Sequence, residues 1–256
     1  DCAGVCFGDS YEDFCGFCDS DLENDNDSCT GCMDPDATNY DPDAIIDCDD
    51  CCSYQVEYSI DLNGGANLIS FWALPEDLSV GNVFSSLGFN AIGVIGEGLA
   101  ATLLPSGVWV GSLSEISPTS GYWAKVNENA IMSITGYPVD PEIEYNLHSG
   151  ANLISFPHQS SISISEGIPD EVEPAFIGVI AEGLAATQLT PFNWVGSLSS
   201  WQGTKGYWAK VTEEISFSFD MSGISRSTES IGEPNGSDNY NQSTAQAFYF
   251  VQIINL

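Results

Sequence analysis

The stretch Gly65-Ala-Asn-Leu-Ile-Ser-Phe71 occurs a second time, residue for residue, as Gly150-Ala-Asn-Leu-Ile-Ser-Phe156. Working outward, Gly93-Val-Ile-Gly-Glu-Gly-Leu-Ala-Ala-Thr102 returns as Gly178-Val-Ile-Ala-Glu-Gly-Leu-Ala-Ala-Thr187. Trp109-Val-Gly-Ser-Leu-Ser114 returns at 194–199, and Gly121-Tyr-Trp-Ala-Lys-Val126 at 206–211. Every block is offset by 85 positions, with no insertion between blocks. A fixed period of this kind identifies a tandem duplication in which each copy is one structural module.

Within a copy the hydrophobic period is two. Val56, Tyr58, Ile60 and Leu62 alternate with Glu57, Ser59 and Asp61, the pattern of a half-buried strand, and Asn63-Gly64-Gly65 reads as a tight turn. Short β-rich runs follow at 68–72, 90–95, 99–104, 108–113, 122–126 and 131–135, bounded by Gly, Pro, Ser or Asn. One segment has helical spacing instead: Val80, Val83, Phe84 and Leu87 behind a candidate N-cap, Ser79. Copy two carries Pro169 at the position equivalent to Phe84, so its helical turn is expected to be shorter or lost. The expected fold class is all-β: two tandem, small antiparallel barrels or sandwiches, at 54–140 and 141–220.

A different kind of sequence precedes the modules. Residues 1–53 hold sixteen of the 37 acidic residues, no Lys or Arg, and all nine cysteines: Cys2, Cys6, Cys15, Cys18, Cys29, Cys32, Cys48, Cys51 and Cys52. Paired CxxC spacings suit zinc, but the segment has no histidine and nine ligands do not divide into tetrahedral sets. Disulfides suit a short segment that cannot build an apolar core. An odd count leaves one thiol free or paired between chains. Asp19, Asp21, Glu23, Asp25 and Asp27 place a carboxylate at every second position, a supply of hard oxygens that fits calcium. Asp34, Asp36, Asn39, Asp41 and Asp43 are expected to add further oxygen ligands. The expected head is therefore irregular, disulfide-rich and calcium-binding.

Two resemblances attach to these residues. The carboxylate ladder resembles the calcium loops of thrombospondin type-3-like repeats. Asp1-Cys-Ala-Gly-Val-Cys6 with Glu12-Asp-Phe-Cys-Gly-Phe-Cys18, and Gly31-Cys-Met-Asp-Pro-Asp-Ala-Thr-Asn-Tyr-Asp-Pro-Asp-Ala44, resemble repeats of large secreted proteins of marine Bacteroidetes-type bacteria. The blocks Gly150–Pro157 and Gly206–Val211 are similar to β-domains in the same proteins; copy one has Trp72 in place of the proline. The resemblance implies a secreted, cell-surface placement, no particular activity, and a disulfide between Cys32 and Cys51.

Composition narrows the function classes. A net charge of −33, with only Lys125, Lys205, Lys210 and Arg226 as bases, opposes binding to nucleic acid or to an anionic membrane surface. No apolar run is long enough for a membrane span. The chain begins at Asp1 rather than Met, as a processed protein or a piece of a longer one would. Trp109, Trp123, Trp194 and Trp208, with Tyr122 and Tyr207, offer either sugar platforms or core anchors, and a duplicated strand favours the core. Glu97 and Glu182 sit in turns of separate copies and do not form the facing pair a glycosidase needs. The histidines, His148 and His158, have no equivalents in copy one, and no nucleophile, P-loop or dinucleotide motif is present, so no enzyme is expected.

After the modules, 221–246 reads as a Ser/Gly/Asn-rich linker. The last segment, 247–256, is strand-forming, with Ala247, Phe248, Tyr249, Phe250, Val251, Ile253, Ile254 and Leu256. An exposed apolar strand calls for a partner, in this chain or another. These features together predict an extracellular structural protein, a segment of a surface fibre or adhesin, joined head to tail through strand addition. Its expected partners are copies of itself or other surface proteins, with glycans as a further class. The competing expectation is a carbohydrate-binding accessory region of a larger secreted hydrolase.

Overall fold

The computed structural model describes residues 11–12, 15–16, 18–19, 29–48 and 51–224. Among the described residues of the head are four two-residue strands. β1 (Tyr11–Glu12) pairs antiparallel with β2 (Cys18–Asp19), and β3 (Thr30–Gly31) runs parallel to β4 (Ile46–Asp47).

Module one contains β5 (Val56–Leu62), β6 (Gly65–Ile69), β7 (Ala73–Leu74), the helical turn α1 (Val80–Val83), β8 (Ala91–Ile95), β9 (Ala100–Leu103), β10 (Trp109–Gly111), β11 (Tyr122–Val126) and β12 (Ala130–Pro138). They form a five-stranded sheet in the order β10-β9-β8-β11-β6 and a three-stranded sheet in the order β5-β12-β7. The alternation read from the sequence sets which side chains face inward. Ile60, Leu62, Met132 and Ile134 of the smaller sheet meet Ile69, Val94, Tyr122 and Ala124 of the larger in one core. This is an antiparallel sandwich rather than a closed barrel. Ser79 caps α1 by accepting the Asn82 N–H, and Val80, Val83, Phe84 and Leu87 are all buried.

Module two repeats the plan with β13 (Tyr145–Leu147), β14 (Gly150–Ile154), β15 (Ile162–Ser163), β16 (Phe176–Ala181), β17 (Leu184–Thr190), β18 (Asn193–Gly196), β19 (Ser200–Trp201), β20 (Tyr207–Val211) and β21 (Ile215–Phe217). Its five-stranded sheet, β14-β20-β16-β17-β18, matches that of module one strand for strand. Of the smaller sheet, the pair β13-β21 is kept as the counterpart of β5-β12, and among the described residues no counterpart of the β12-β7 pairing is formed; the pair β15-β19 corresponds to the Ser79–Glu115 bridge of module one. One difference at the β12-β7 pairing is steric. In module one β12 crosses β7 so closely that a Cβ at Gly136 would overlap the Leu74 carbonyl. Module two has Met221 there, and the strand pairing is lost. Bulk returns as rings: Tyr145, Trp201, Phe217 and Phe219 stand where module one has Ile60, Ile116, Met132 and Ile134. Phe219 lies 5.0–5.2 Å, centroid to centroid, from Tyr145, Phe156, Trp201 and Phe217.

The helical turn of module two is reduced to a turn, and its equivalence differs from the constant offset of the repeated blocks. Ser163 Oγ accepts the Glu166 N–H and the Ser163 carbonyl accepts the Gly167 N–H, as Ser79 does for Asn82 and Val83. The local offset is therefore 84, the counterpart of Phe84 is Ile168, and Pro169 follows it. The 85-residue offset is restored before β16. Identical blocks flank this one-residue slip and conceal it.

Candidate functional site

The features that bear on function are the head and the junction between the modules. In the head, β3 and β4 bring Cys32 beside Cys48, and disulfides between described residues join Cys15–Cys29, Cys32–Cys52 and Cys48–Cys51. Cys18 is also disulfide-bonded. Cys32 thus pairs with Cys52, not with the Cys51 that the resemblance implies. The cause is the backbone of 51–53, which lies along 38–39. Asn39 Nδ2 donates to the Cys51 carbonyl, Asn39 Oδ1 accepts the Ser53 N–H, and Thr38 N–H donates to the Ser53 carbonyl. Neighbouring residues of an extended segment point to opposite sides. With Cys52 directed at the buried Cys32, Cys51 points away and closes onto Cys48.

Several residues expected to hold calcium have structural partners. In the two Asp-Pro-Asp segments the first aspartate closes a turn on itself: Asp34 Oδ1 accepts the Asp36 N–H and Asp41 Oδ1 the Asp43 N–H, each at 2.9 Å. Asp34 Oδ2 accepts from the Tyr54 hydroxyl at 2.6 Å. Those two bonds, the tyrosine first, hold the Asp34 carboxyl below its usual range. Both ends of the Asn39 amide are spent on the 51–53 segment. Asp36 and Asp43 present exposed carboxylates. The one cluster of metal-ligand type among the described residues is Asp47, Cys48 and Cys52. Its two sulfurs are in disulfides, whereas a metal needs thiolate. The ladder positions Asp21, Glu23, Asp25 and Asp27, with Cys2 and Cys6, lie outside the described residues, as does the terminal segment 247–256.

The junction was not legible as such. Leu68 and Leu153 are almost fully buried, yet neither belongs to the core of its own module. Each covers a glycine of the other copy: a Cβ on Gly206 would come 3.0 Å from Leu68 Cδ1, and one on Gly121 would come 3.1 Å from Leu153 Cδ1. Around them the backbone hydrogen bonds come in reciprocal pairs. Gly206 N–H donates to the Leu68 carbonyl and Gly121 N–H to that of Leu153; Ser70 N–H donates to Thr204 and Ser155 N–H to Thr119. Ser155 Oγ donates to the Pro118 carbonyl, and Ser70 Oγ lies within hydrogen-bond distance of the equivalent Gly203 carbonyl as well as that of Lys205. Glu182 Oε2 accepts the Leu68 N–H and Glu97 Oε2 the Leu153 N–H, each at 2.8 Å. Equivalent residues make equivalent contacts in both directions, as in a two-fold self-complementary interface. The strand edges of β6 and β14 are closed by the partner module, so the carboxylates in the Gly-Glu-Gly and Ala-Glu-Gly turns act across the junction and not only within their turns. The repeated block encodes this. Asn67 and Asn152 clip the preceding turn, Leu and Ser serve the junction, and Ile and Phe serve the core.

One element breaks the symmetry. Module two has His148 where module one has Asn63. His148 Nε2 lies 2.6 Å from Glu97 Oε1 and Nδ1 lies 2.9 Å from the Ser149 carbonyl. Two acceptors satisfy both nitrogens only in the imidazolium form. The Ser149 carbonyl and then Glu97 accordingly raise its pKa above 6.5. A raised histidine contributes stability that is present in full below the unfolded pKa and is lost as pH rises through the folded one. His148→Asn should therefore lower the melting temperature at pH 5.5 and leave it unchanged at pH 9; an equal effect at both values would refute the ion pair.

Of the aromatic residues weighed as sugar platforms, Tyr122, Tyr207, Trp109 and Trp194 have packing partners, while Trp123 and Trp208 are half-buried on the larger sheets. Tyr122 and Tyr207 are buried, their hydroxyls accepting the Ser117 and Gln202 N–H groups. Trp109 packs on Phe84 at 6.0 Å, and Trp194 Nε1 donates to the buried Glu173. Trp123 lies between Ile95 and Leu68 in the sheet register, and Trp208 between Ile180 and Leu153. No helix among the described residues is long and apolar enough to cross a membrane. Comparison with family models, curated proteins and solved structures found no match.

Proposed function

We propose that the chain is a segment of an extracellular structural protein, a surface fibre or adhesin, secreted, braced by disulfides and calcium, and assembled head to tail by strand addition. The observation that carries this reading is the reciprocal closure of β6 and β14. It fuses two modules into one double module and leaves β10 and β18 as the terminal strands of the two larger sheets. Such a body suits a load-bearing spacer. Disulfides suit an oxidising exterior. The alternating carboxylates at 19–27, with no basic residue nearby in sequence, are the part of the head best matched to calcium.

The histidines support a non-catalytic reading. Both nitrogens of His148 face acceptors, and His158 Nδ1 accepts the Ser160 N–H, so neither is aimed at a nucleophile. The test is negative-stain microscopy and sedimentation of the full chain with calcium, with chelator, and with 247–256 removed. Filaments that disperse in the second and third conditions are expected. A monomer in all three that binds glycans would overturn the reading in favour of a carbohydrate-binding region.

A further inference from the structure

We propose that the outer edge of module two, strand β18 with the tip of the β17–β18 hairpin, is the acceptor for residues 247–256 of a neighbouring copy. The inference rests on the fibre reading above and supplies its contact surface.

With the inner edges sealed at the junction, β18 ends its sheet, paired among the described residues with β17 alone. Native edges are commonly protected by charge. Here none is present: between Glu182 and Lys205 the chain has no charged residue, although the protein carries −33. Leu189, Phe192 and Val195 instead expose 59%, 53% and 44% of their surface on this hairpin. Phe192 is also the only non-glycine residue with positive φ (+65°) among the described residues, where copy one has Gly107 at +83°. A bulky side chain in that conformation is strained, and strain of this kind collects at binding positions. β18 is favoured over β10 because it is longer, four residues against three, and because the strained ring is found only there.

The occupant follows from charge and sequence. Two copies at −33 repel, so contact is least unfavourable where both surfaces are neutral. Residues 239–256 carry no charge, and 247–256 are rich in aromatic and β-branched residues. Added as a strand, that segment hydrogen-bonds through its backbone while alternate side chains meet Leu189 and Val195. The intervening 225–246 can extend to about 75 Å, enough to reach a second copy.

The test mixes full chains bearing p-benzoylphenylalanine at Val195 with isotope-labelled copies, then maps photo-crosslinked peptides by mass spectrometry. Crosslinks from position 195 to 247–256 of the other copy are expected. Val195→Glu, at an exposed site and with an unchanged melting temperature, should raise the concentration needed for polymer about tenfold or more. Crosslinks to 247–256 only within one copy, or only to other segments, would overturn the acceptor. Filaments that persist in Val195→Glu without the crosslink reject the acceptor and keep the fibre reading. The inter-copy crosslink without any polymer upholds the acceptor and rejects the fibre.

Discussion

Replacing Gly206 by valine is expected to part the two modules while leaving each one folded. A Cβ there would lie 2.7 Å from the Ile69 carbonyl oxygen and 3.0 Å from Leu68 Cδ1. Backbone cannot yield as a flexible side chain does, so the junction must open. Opening exposes Leu68 and Leu153 and strands the reciprocal hydrogen bonds, at about 1 kcal/mol for each bond and 1.5–3 kcal/mol for each leucine. The two cores share no residue, so each module keeps its own. The expected readout is rapid hydrogen exchange at the Leu68 and Leu153 amides and two thermal transitions in place of one. Gly121→Val should do the same from the other side, and the double variant should be little worse than either, because one interface is lost only once. Retained protection at Leu153 in Gly206→Val would show that the glycines do not govern the junction.

The second large effect is expected in the head. Among the described residues of 29–53 the buried apolar groups are Cys32, Ala37 and Ala44, far too little for a core. Order there depends on cross-links and on the Asn39 clip. Cys32–Cys52 closes a sequence separation of 20, for which chain entropy alone gives about 3 kcal/mol. Cys32→Ser with Cys52→Ser should abolish protection of the Thr38 and Asp41 amides, which donate to the Ser53 and Cys32 carbonyls at 2.8 Å. The melting of the modules should not move. A head still resistant to protease in the double variant would mean that other contacts hold it.

Period-two alternation, the Ser79 cap and the duplication are local or repeated signals, and they carried the fold class and the positions of most strands. Three things were hidden for separable reasons. The lost pairing in the smaller sheet of module two includes Met221 in place of Gly136, a clash visible only once β7 and β12 are side by side. The pairing of Cys32 depends on which of two adjacent cysteines faces inward, set by Asn39 twelve residues away. The junction escaped because an apolar residue buried by a second module has the same sequence appearance as one buried by its own. Leu68 next to Ile69, on opposite faces of one strand and both buried, was the available sign.

The reciprocal junction is in effect a homodimer written into a single polypeptide. A self-complementary surface on a separate module would associate only as concentration allowed. Covalent linkage replaces that dependence with an effective concentration in the millimolar range for a short tether. It also lifts a constraint. In a true homodimer any change appears in both halves at once, whereas fused halves can specialise independently. His148 in place of Asn63, and a ring-filled interior in place of an aliphatic one, are differences that a dimer of identical chains cannot hold.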